Sequence, residues 1–502
     1  EVGVDQSFFD LGGHSLKAIQ IVSRVTRDRG ADIGIGDVFE RGSIRRLAQL
    51  IDARSTAGSP PLVAQPTQEH YDTSPTQRRM WLASRTPEGS AAYNMAGTFW
   101  LDGAVDVAAL ARAFRALVER HEALRTVFVI AGGTLRQQVR SAAAVGEVLH
   151  ETDWTSDPGD SSTLDAAIQE RISTPFDLAR GPLFDAELLR FADRRSLLLV
   201  RLHHIVGDAG SIAILSREVL TLYAAFRRGD AVAPLPPLEV QYRDFVAWQN
   251  TLAADGTRDG SRRYWLDRLS AGMPRTAFTA DMPDAAASAL GLVAACDVDE
   301  ALTARLRALA SRRGTTLFGV IVSAVYALLY RYSQREDLVI GTTVSRRDHP
   351  LLEHQVGCYI DTLVLRGQAA GRDTAAQLVE RTGRVCTDAL AHRDYPFESL
   401  LEDLHPVAPE GKTPLFDVLV DYVPGPGAIG GTDQHTGLTI SERPRTAEAA
   451  HYDTMFLVTE SDSGATLSIQ LVFKAGLFTA DTIELARTRL LTILRWLADD
   501  GD

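Results

Sequence analysis

His203 and His204 stand side by side, and Asp208 follows four residues after His204. An unperturbed imidazole titrates at about 6.5, so it can take and return a proton near neutral pH. Two imidazoles and a carboxylate in this pattern have three readings: a packed pair in a core, part of a metal site, or an acid–base pair in the manner of a triad. No third metal ligand is evident from the sequence. A second candidate lies near the start of the chain. Gly12 and Gly13 give the backbone freedom for a tight turn, and Ser15 follows. A serine there is either a plain helix N-cap or a hydroxyl offered to a phosphate, because the helix dipole and free N–H groups favour an anion.

The elements that must carry these residues follow from hydrophobic spacing. Ser196–Leu202 is an apolar run with one charge, Arg201, short enough for a buried strand that delivers the histidines to its end. On a strand the two imidazoles would point to opposite faces, so only one could serve a site. Ser211 then opens an amphipathic helix over 212–227, with Ile214, Leu215, Val219, Leu222 and Phe226 apolar. Helices are expected at 107–120, 300–312 and 316–332, and strands at 98–101, 135–139, 338–340 and 361–365. Near the start, Ser15 begins a helix ended by Gly30, and a second helix covers about 43–52. Residues 54–68 hold three prolines with Ser, Thr and Gly, an extended linker poor at packing. The expected organisation is therefore a small helical module at 1–53, a linker at 54–68, and a large region whose two halves run over 69–245 and 246–502.

Composition narrows the function. The 502 residues carry 65 acidic and 52 basic side chains, a formal net charge of −13, which argues against a nucleic-acid or anionic-membrane surface. The longest apolar run, Leu317–Tyr330, is too short to span a bilayer and reads as a buried core helix. Cys296, Cys358 and Cys386 match no zinc or disulfide spacing and read as buried thiols in a reducing, cytoplasmic setting. No glycine loop of the nucleotide-binding kind appears.

Longer strings decide between the readings. Asp5-Gln-Ser-Phe-Phe-Asp-Leu-Gly-Gly-His-Ser-Leu16 resembles the modification site of peptidyl carrier proteins of nonribosomal peptide synthetases. That resemblance implies a 4′-phosphopantetheine arm on Ser15, placed there by a phosphopantetheinyl transferase. Carrier proteins have a helix ahead of this motif, so the module reads as N-terminally truncated. Seven further motifs resemble condensation domains of the same synthetases, in order and spacing. They are Ser74-Pro-Thr-Gln77-Arg-Arg79-Met-Trp81, Arg120–Phe128, His203–Asp208, Tyr242–Trp248, Val356–Leu363, His392–Glu398 and Thr413–Phe416. The resemblance covers essentially all of 70–502.

What the resemblance implies is specific. The fold expected is a small all-α carrier bundle joined to a large α/β (α+β) region of two chloramphenicol-acetyltransferase-like lobes in a V, with the active site in a tunnel between them. The reaction expected is amide formation: an amine on an acceptor carrier attacks the donor thioester on the arm of Ser15. His204 is the catalytic residue, as base or orienter of the amine. His203, Asp208 and Arg347 are structural supports, with Asp208 and Arg347 paired and no metal. The donor's last residue is implied to be L or achiral. Partners implied are an upstream adenylation domain and a downstream acceptor carrier with its adenylation domain. An epimerisation domain of the same fold, or a silent carrier-docking scaffold, are the alternatives. Five departures stand out. Ala209 replaces a glycine, costing about 1 kcal/mol if its φ is positive. Gly210 replaces an aromatic and is expected to widen the acceptor side. Arg346 replaces a glycine. Asp361 and Arg393 replace Asn and Gln and add charge near the lobe interface.

Overall fold

The apolar run ahead of the histidines forms the strand Arg195–His203, an inner strand of a six-stranded sheet. Across that sheet the order is Gly431–Thr432, Thr439–Glu442, Asn94–Asp102, Arg195–His203, Phe184–Arg190 and Leu149–Asp153. Successive side chains alternate between its faces, and both faces are covered. Phe99, Leu101, Leu198 and Leu202 pack under the helices Val107–Arg120 and Ala209–Arg227. Trp100, Leu189 and Leu197 pack on the other side against Leu164 and Ile168 of the helix Ser162–Ser173. This is why the histidine strand reads as apolar on both faces, with Arg201 the one charge in the run 196–202. The computed structural model describes residues 61–500 except 157–161, 193, 232–234, 255–257, 271, 283–289, 407–412, 424–430, 433–436, 444–446 and 462; of the first 60 it describes 3–6, 8, 18, 21, 22, 24, 25, 31, 33, 37, 38 and 41–53.

The second lobe is built on a seven-stranded sheet, in the order Ile360–Gln368, Asp337–Ser345, Val418–Val423, Thr454–Glu460, Leu467–Lys474, Leu290–Val298 and Ala447–Ala449. Its central helix, Leu317–Ser333, is apolar around most of its circumference and buried accordingly, as the sequence predicts. It packs with Glu300–Arg312, Ala375–Ala391 and Ala480–Asp500 over Leu338, Val339 and Ile340. Ala209–Arg227 is the one described helix long and apolar enough to cross a bilayer, and its Ile214, Leu215, Leu222 and Ala225 lie in the first core.

Two expectations about organisation change. The helix Tyr242–Ala254 runs through the proposed boundary at 245/246. Thr439–Glu442, from the second half of the sequence, pairs antiparallel with Asn94–Asp102, with Ile440 opposite Leu101. The edge of the first sheet is thus completed by a strand from the other half, which satisfies backbone groups that an open edge would leave free. The linker also packs: Leu62 is buried in the first core, and the Gln65 N–H donates to Asp244 Oδ1 at 2.8 Å. Its proline-rich start, 54–60, lies outside the described residues. In the small module, Ala18, Val22, Ile33 and Val38 form a core with Leu47, Leu50 and Ile51, and the half-buried Leu390 of the second lobe packs against it. The helix Ile44–Ala53 matches the expectation. Ser15 and Gly30 lie outside the described residues.

Candidate active site

The chain leaves the sheet at the histidines. His203 is the last strand residue, and His204 begins a single 3-10 turn, His204–Val206. That turn, rather than strand alternation, separates the two imidazoles. His203 is wholly buried. Its Nδ1 accepts the Ile205 N–H at 3.1 Å. The Ser84 hydroxyl donates to the Met80 carbonyl at 2.7 Å, so His203 Nε2–H donates to Ser84 Oγ at 3.3 Å. Both nitrogens are spent inside the protein. Burial, with His204 and His451 nearby, pushes the His203 imidazole down to about 3, so it is a neutral structural ring.

His204 is held differently. Its N–H donates to the Tyr93 carbonyl at 2.8 Å, while its ring stays partly accessible. Nδ1 is enclosed without a hydrogen-bond partner. Burial lowers its pKa, and Arg79 adds to this; Asp208 and the carbonyls of His204 and Gly207 oppose it. The turn itself is pinned by Gln77, whose Nε2 donates to the Ile205 carbonyl at 3.1 Å. Gln77 is fixed in turn by a capping box: Ser74 Oγ accepts the Gln77 N–H, and Gln77 Oε1 accepts the Ser74 N–H, both at 3.1 Å.

Asp208 caps the helix that follows. Its Oδ1 accepts from the Ser211 N–H at 2.7 Å, the Ser211 hydroxyl at 2.8 Å and Arg347 Nη2 at 2.8 Å; its Oδ2 accepts the Tyr359 N–H at 3.0 Å. Burial works against the charge, but Arg347 and Ser211 outweigh it and hold the carboxyl below its ordinary value. Arg347 also donates to the Leu352 and Gln355 carbonyls and lies 4.2 Å over the Tyr359 ring. The pair therefore ties the loop carrying His204 to the segment after Asp337–Ser345 in the second lobe.

Neighbouring departures read differently once placed. Ala209 is the first residue of the helix Ala209–Arg227 and is absent from the positive-φ residues, which among described non-glycines are Arg194, Gln334, His405 and Leu415. The expected strain does not arise, because the Asp208 cap sets a helical φ there. A Cβ on Gly210 would lie 3.0 Å from Arg347 Nε and 3.4 Å from Asp208 Oδ1. The missing side chain makes room for the ion pair.

Arg346 is buried; its Nη1 donates to the Arg393 carbonyl at 2.6 Å and lies 3.4 Å from Asp394. Arg393 pairs with Asp348 at 3.0 Å. Asp361 is buried, and its Oδ1 accepts the Thr362 N–H at 2.8 Å. Burial, then Glu398, push its carboxyl up to about 7, against the pull of Arg346.

Other residues at the site gave no functional signal in the sequence. Arg79 and Glu398 pair at 2.8 Å between the lobes. Tyr93 lies 6.0 Å from His203 and 4.6 Å from His451, ring to ring. Arg79 and Glu398 lie within the first and sixth of the motifs given above. His451 belongs to no quoted motif. Among the described residues no three His, Cys, Asp or Glu side chains are grouped to hold a metal.

Known proteins with this arrangement can now be compared. The condensation-domain family matches residues 67–502, and the phosphopantetheine attachment site matches residues 1–51. The chain belongs to the condensation-domain family. Surfactin synthase subunit 1 of Bacillus subtilis (strain 168) is 31% identical over 502 residues, covering 100% of this chain and 13% of that protein. Tyrocidine synthase 3 of Brevibacillus parabrevis is 32% identical over 504 residues, covering 99% of this chain and 7% of its own length. The condensation chain thus spans a small part of these relatives. Among solved structures, the X-domain from teicoplanin biosynthesis superimposes with a TM-score of 0.78 at 27% identity, covering 88% of this chain and 98% of that one. The first condensation domain of the calcium-dependent antibiotic synthetase shares the fold, with a TM-score of 0.73 at 20% identity over 87% of this chain and 98% of its own. The chain joins a phosphopantetheine attachment module to a two-lobed condensation domain. The cofactor is 4′-phosphopantetheine, attached covalently to a serine.

Proposed function

We propose that this didomain forms an amide bond between a donor acyl group carried on Ser15 and the amine of an acceptor aminoacyl-carrier, at His204. The arm on Ser15 supplies the activated acyl group as a thioester. The observation that carries the reading is the unequal treatment of two adjacent imidazoles. His203 spends both nitrogens internally. His204 encloses Nδ1 and leaves the rest of the ring partly accessible. A proton kept on the enclosed Nδ1, beside two backbone carbonyls, presents Nε2 as the acceptor. An α-amine of pKa about 8 leaves a useful neutral fraction at pH 7. His204 orients that amine toward the acyl carbon and takes the proton shed when the C–N bond forms; the C–S bond then breaks, and the pantetheine sulfur leaves and takes up that proton as a thiol. General-base help of this kind is worth ~10²–10⁴-fold, and holding both reactants together on the order of 7–11 kcal/mol. Asp208 and Arg347 fix the loop, and His203 fills the core beneath it. The arm lies on the donor side, and the donor's last residue is L or achiral. An upstream adenylation domain loads it. The acceptor carrier, with its own adenylation domain, acts downstream, and a phosphopantetheinyl transferase installs the arm. The setting is the cytoplasm, in keeping with three buried free cysteines.

The test loads Ser15 with an aminoacyl-pantetheine, adds an aminoacyl acceptor carrier, and compares product mass for wild type and His204→Ala. Loss of amide in the variant supports the role; unchanged amide formation refutes it. Chiral analysis of the carrier-bound residue reads the epimerisation alternative, and paired L and D donors read the stereochemical preference. One observation favours the scaffold alternative: the teicoplanin X-domain, at 28% identity and a TM-score of 0.77, is also solved in complex with OxyB. That reading predicts a loaded arm and no amide with any donor.

A further inference from the structure

His451 enters the site from the second lobe, just ahead of the strand Thr454–Glu460. Its ring lies 4.6 Å from that of Tyr93, whose carbonyl accepts the His204 N–H. Tyr452 lies edge-on at 6.4 Å and itself stacks on Phe416 at 5.2 Å, which anchors the segment in the second core. His451 is therefore placed by packing from both lobes.

Among the described residues no hydrogen bond reaches its ring nitrogens, and neither is sealed off as His204 Nδ1 is. Both ring nitrogens are therefore open to solvent or to a bound substrate and are not committed to the protein. Burial, then His204, Arg79 and Lys474, push the ring down to about 3. Such a ring is a poor base but keeps an N–H to donate. Its neighbours make the potential positive, since Arg79 and Lys474 both disfavour a further positive charge there. A developing negative oxygen suits that potential, whereas an amine shedding a proton does not.

We propose that His451 is a second substrate-facing group of the condensation centre, whose neutral imidazole N–H donates a hydrogen bond to the acyl oxygen of the donor thioester. This rests on the amide-forming reading above and adds a division of labour. His204, on the first lobe, accepts from the amine; His451, on the second, donates to the oxygen that gains charge as nitrogen adds to the acyl carbon. Removing one such donor typically costs ~10²–10³ in kcat. The arrangement requires both lobes, because His204 is carried by the first and His451 by the second.

The test uses the full chain, loaded on Ser15, with His451→Phe and His451→Gln. Phenylalanine keeps the ring packing on Tyr93 and removes the N–H. Glutamine supplies an amide N–H. The expected result is a kcat at least tenfold lower for His451→Phe, with the acceptor KM and the melting temperature unchanged, and recovery of most of that rate in His451→Gln. A wild-type rate for His451→Phe overturns the proposal, as does an equal loss in both variants accompanied by a lower melting temperature. Wild-type protein that makes no amide sinks the underlying reading instead. A second measurement then still decides the contact: ¹⁵N NMR of the histidine rings, titrated with an acyl-pantetheine amide as a non-reactive donor mimic. A shift of the His451 N–H that is lost in His451→Phe supports the hydrogen bond; an unmoved His451 signal overturns it.

Discussion

Asp361→Asn should make the protein more stable, by an amount that grows as pH rises toward neutrality and then levels off. Asp361 lies in the second sheet, where Glu398 repels its charge and Arg346 attracts it. Its carboxyl is raised from 3.8 to about 7, first by burial and then by Glu398. A carboxyl raised on folding is a burden wherever it must ionise. The burden is absent below the unfolded value, grows as pH rises, and is complete above the folded value. At about 1.4 kcal/mol per pH unit, the interval from 3.8 to about 7 caps the cost at roughly 4 kcal/mol. Asparagine keeps an oxygen for the Thr362 N–H, bonded at 2.8 Å, and adds an N–H₂ toward Glu398. It forfeits the attraction to Arg346, so a net gain of about 1–3 kcal/mol at pH 8 is the working figure. Urea unfolding at pH 5 and pH 8 measures it. The gap between variant and wild type should shrink by most of that amount at pH 5. A variant no more stable than wild type at pH 8 would refute the reasoning, because it would mean that Arg346 already compensates the charge.

Other outcomes follow from the same geometry. Asp208→Ala leaves Arg347 buried without its carboxylate and strips the helix cap, so a loss of about 3–5 kcal/mol, seen by urea denaturation, should accompany any loss of rate. A fully stable but inactive Asp208→Ala protein would contradict the structural role. Gly210→Ala places a methyl 3.0 Å from Arg347 Nε; a destabilisation of about 1–3 kcal/mol is expected, together with a slower condensation rate, and an unaffected melting curve would show that the loop yields freely. His203 is held neutral, with its pKa lowered from 6.5 to about 3. The unfolded chain therefore takes up a proton first, and stability should fall as pH drops below about 6.5, with His203→Asn flattening the slope between pH 6 and 4.

Much of this was written locally. The helix Val107–Arg120 coincides with its apolar spacing, and Leu317–Ser333 with its unbroken apolar run, because helix and burial both follow from side-chain order along a few turns. The Ser74–Gln77 capping box is equally local. Not legible was the strand Thr439–Glu442 joining the first sheet, since pairing across more than three hundred residues leaves no mark in either segment. The close approach of Arg347 to Gly210 was equally hidden, because the two are remote in sequence.

The sequence by itself determined that an imidazole pair ends a buried strand, that Asp208 opens a helix, and that a carrier-like serine motif precedes a condensation-like region. Those are matters of residue type and short spacing. Only the tertiary structure decided which imidazole is spent and which remains available, because that depends on Ser84, Tyr93 and the 3-10 turn at His204. It alone also brought Glu398 and His451 from the second lobe to the first, whereas the Asp208–Arg347 pair was already expected from the resemblance. Their placement is a long-range consequence of two cores packing together, and no local pattern encodes it.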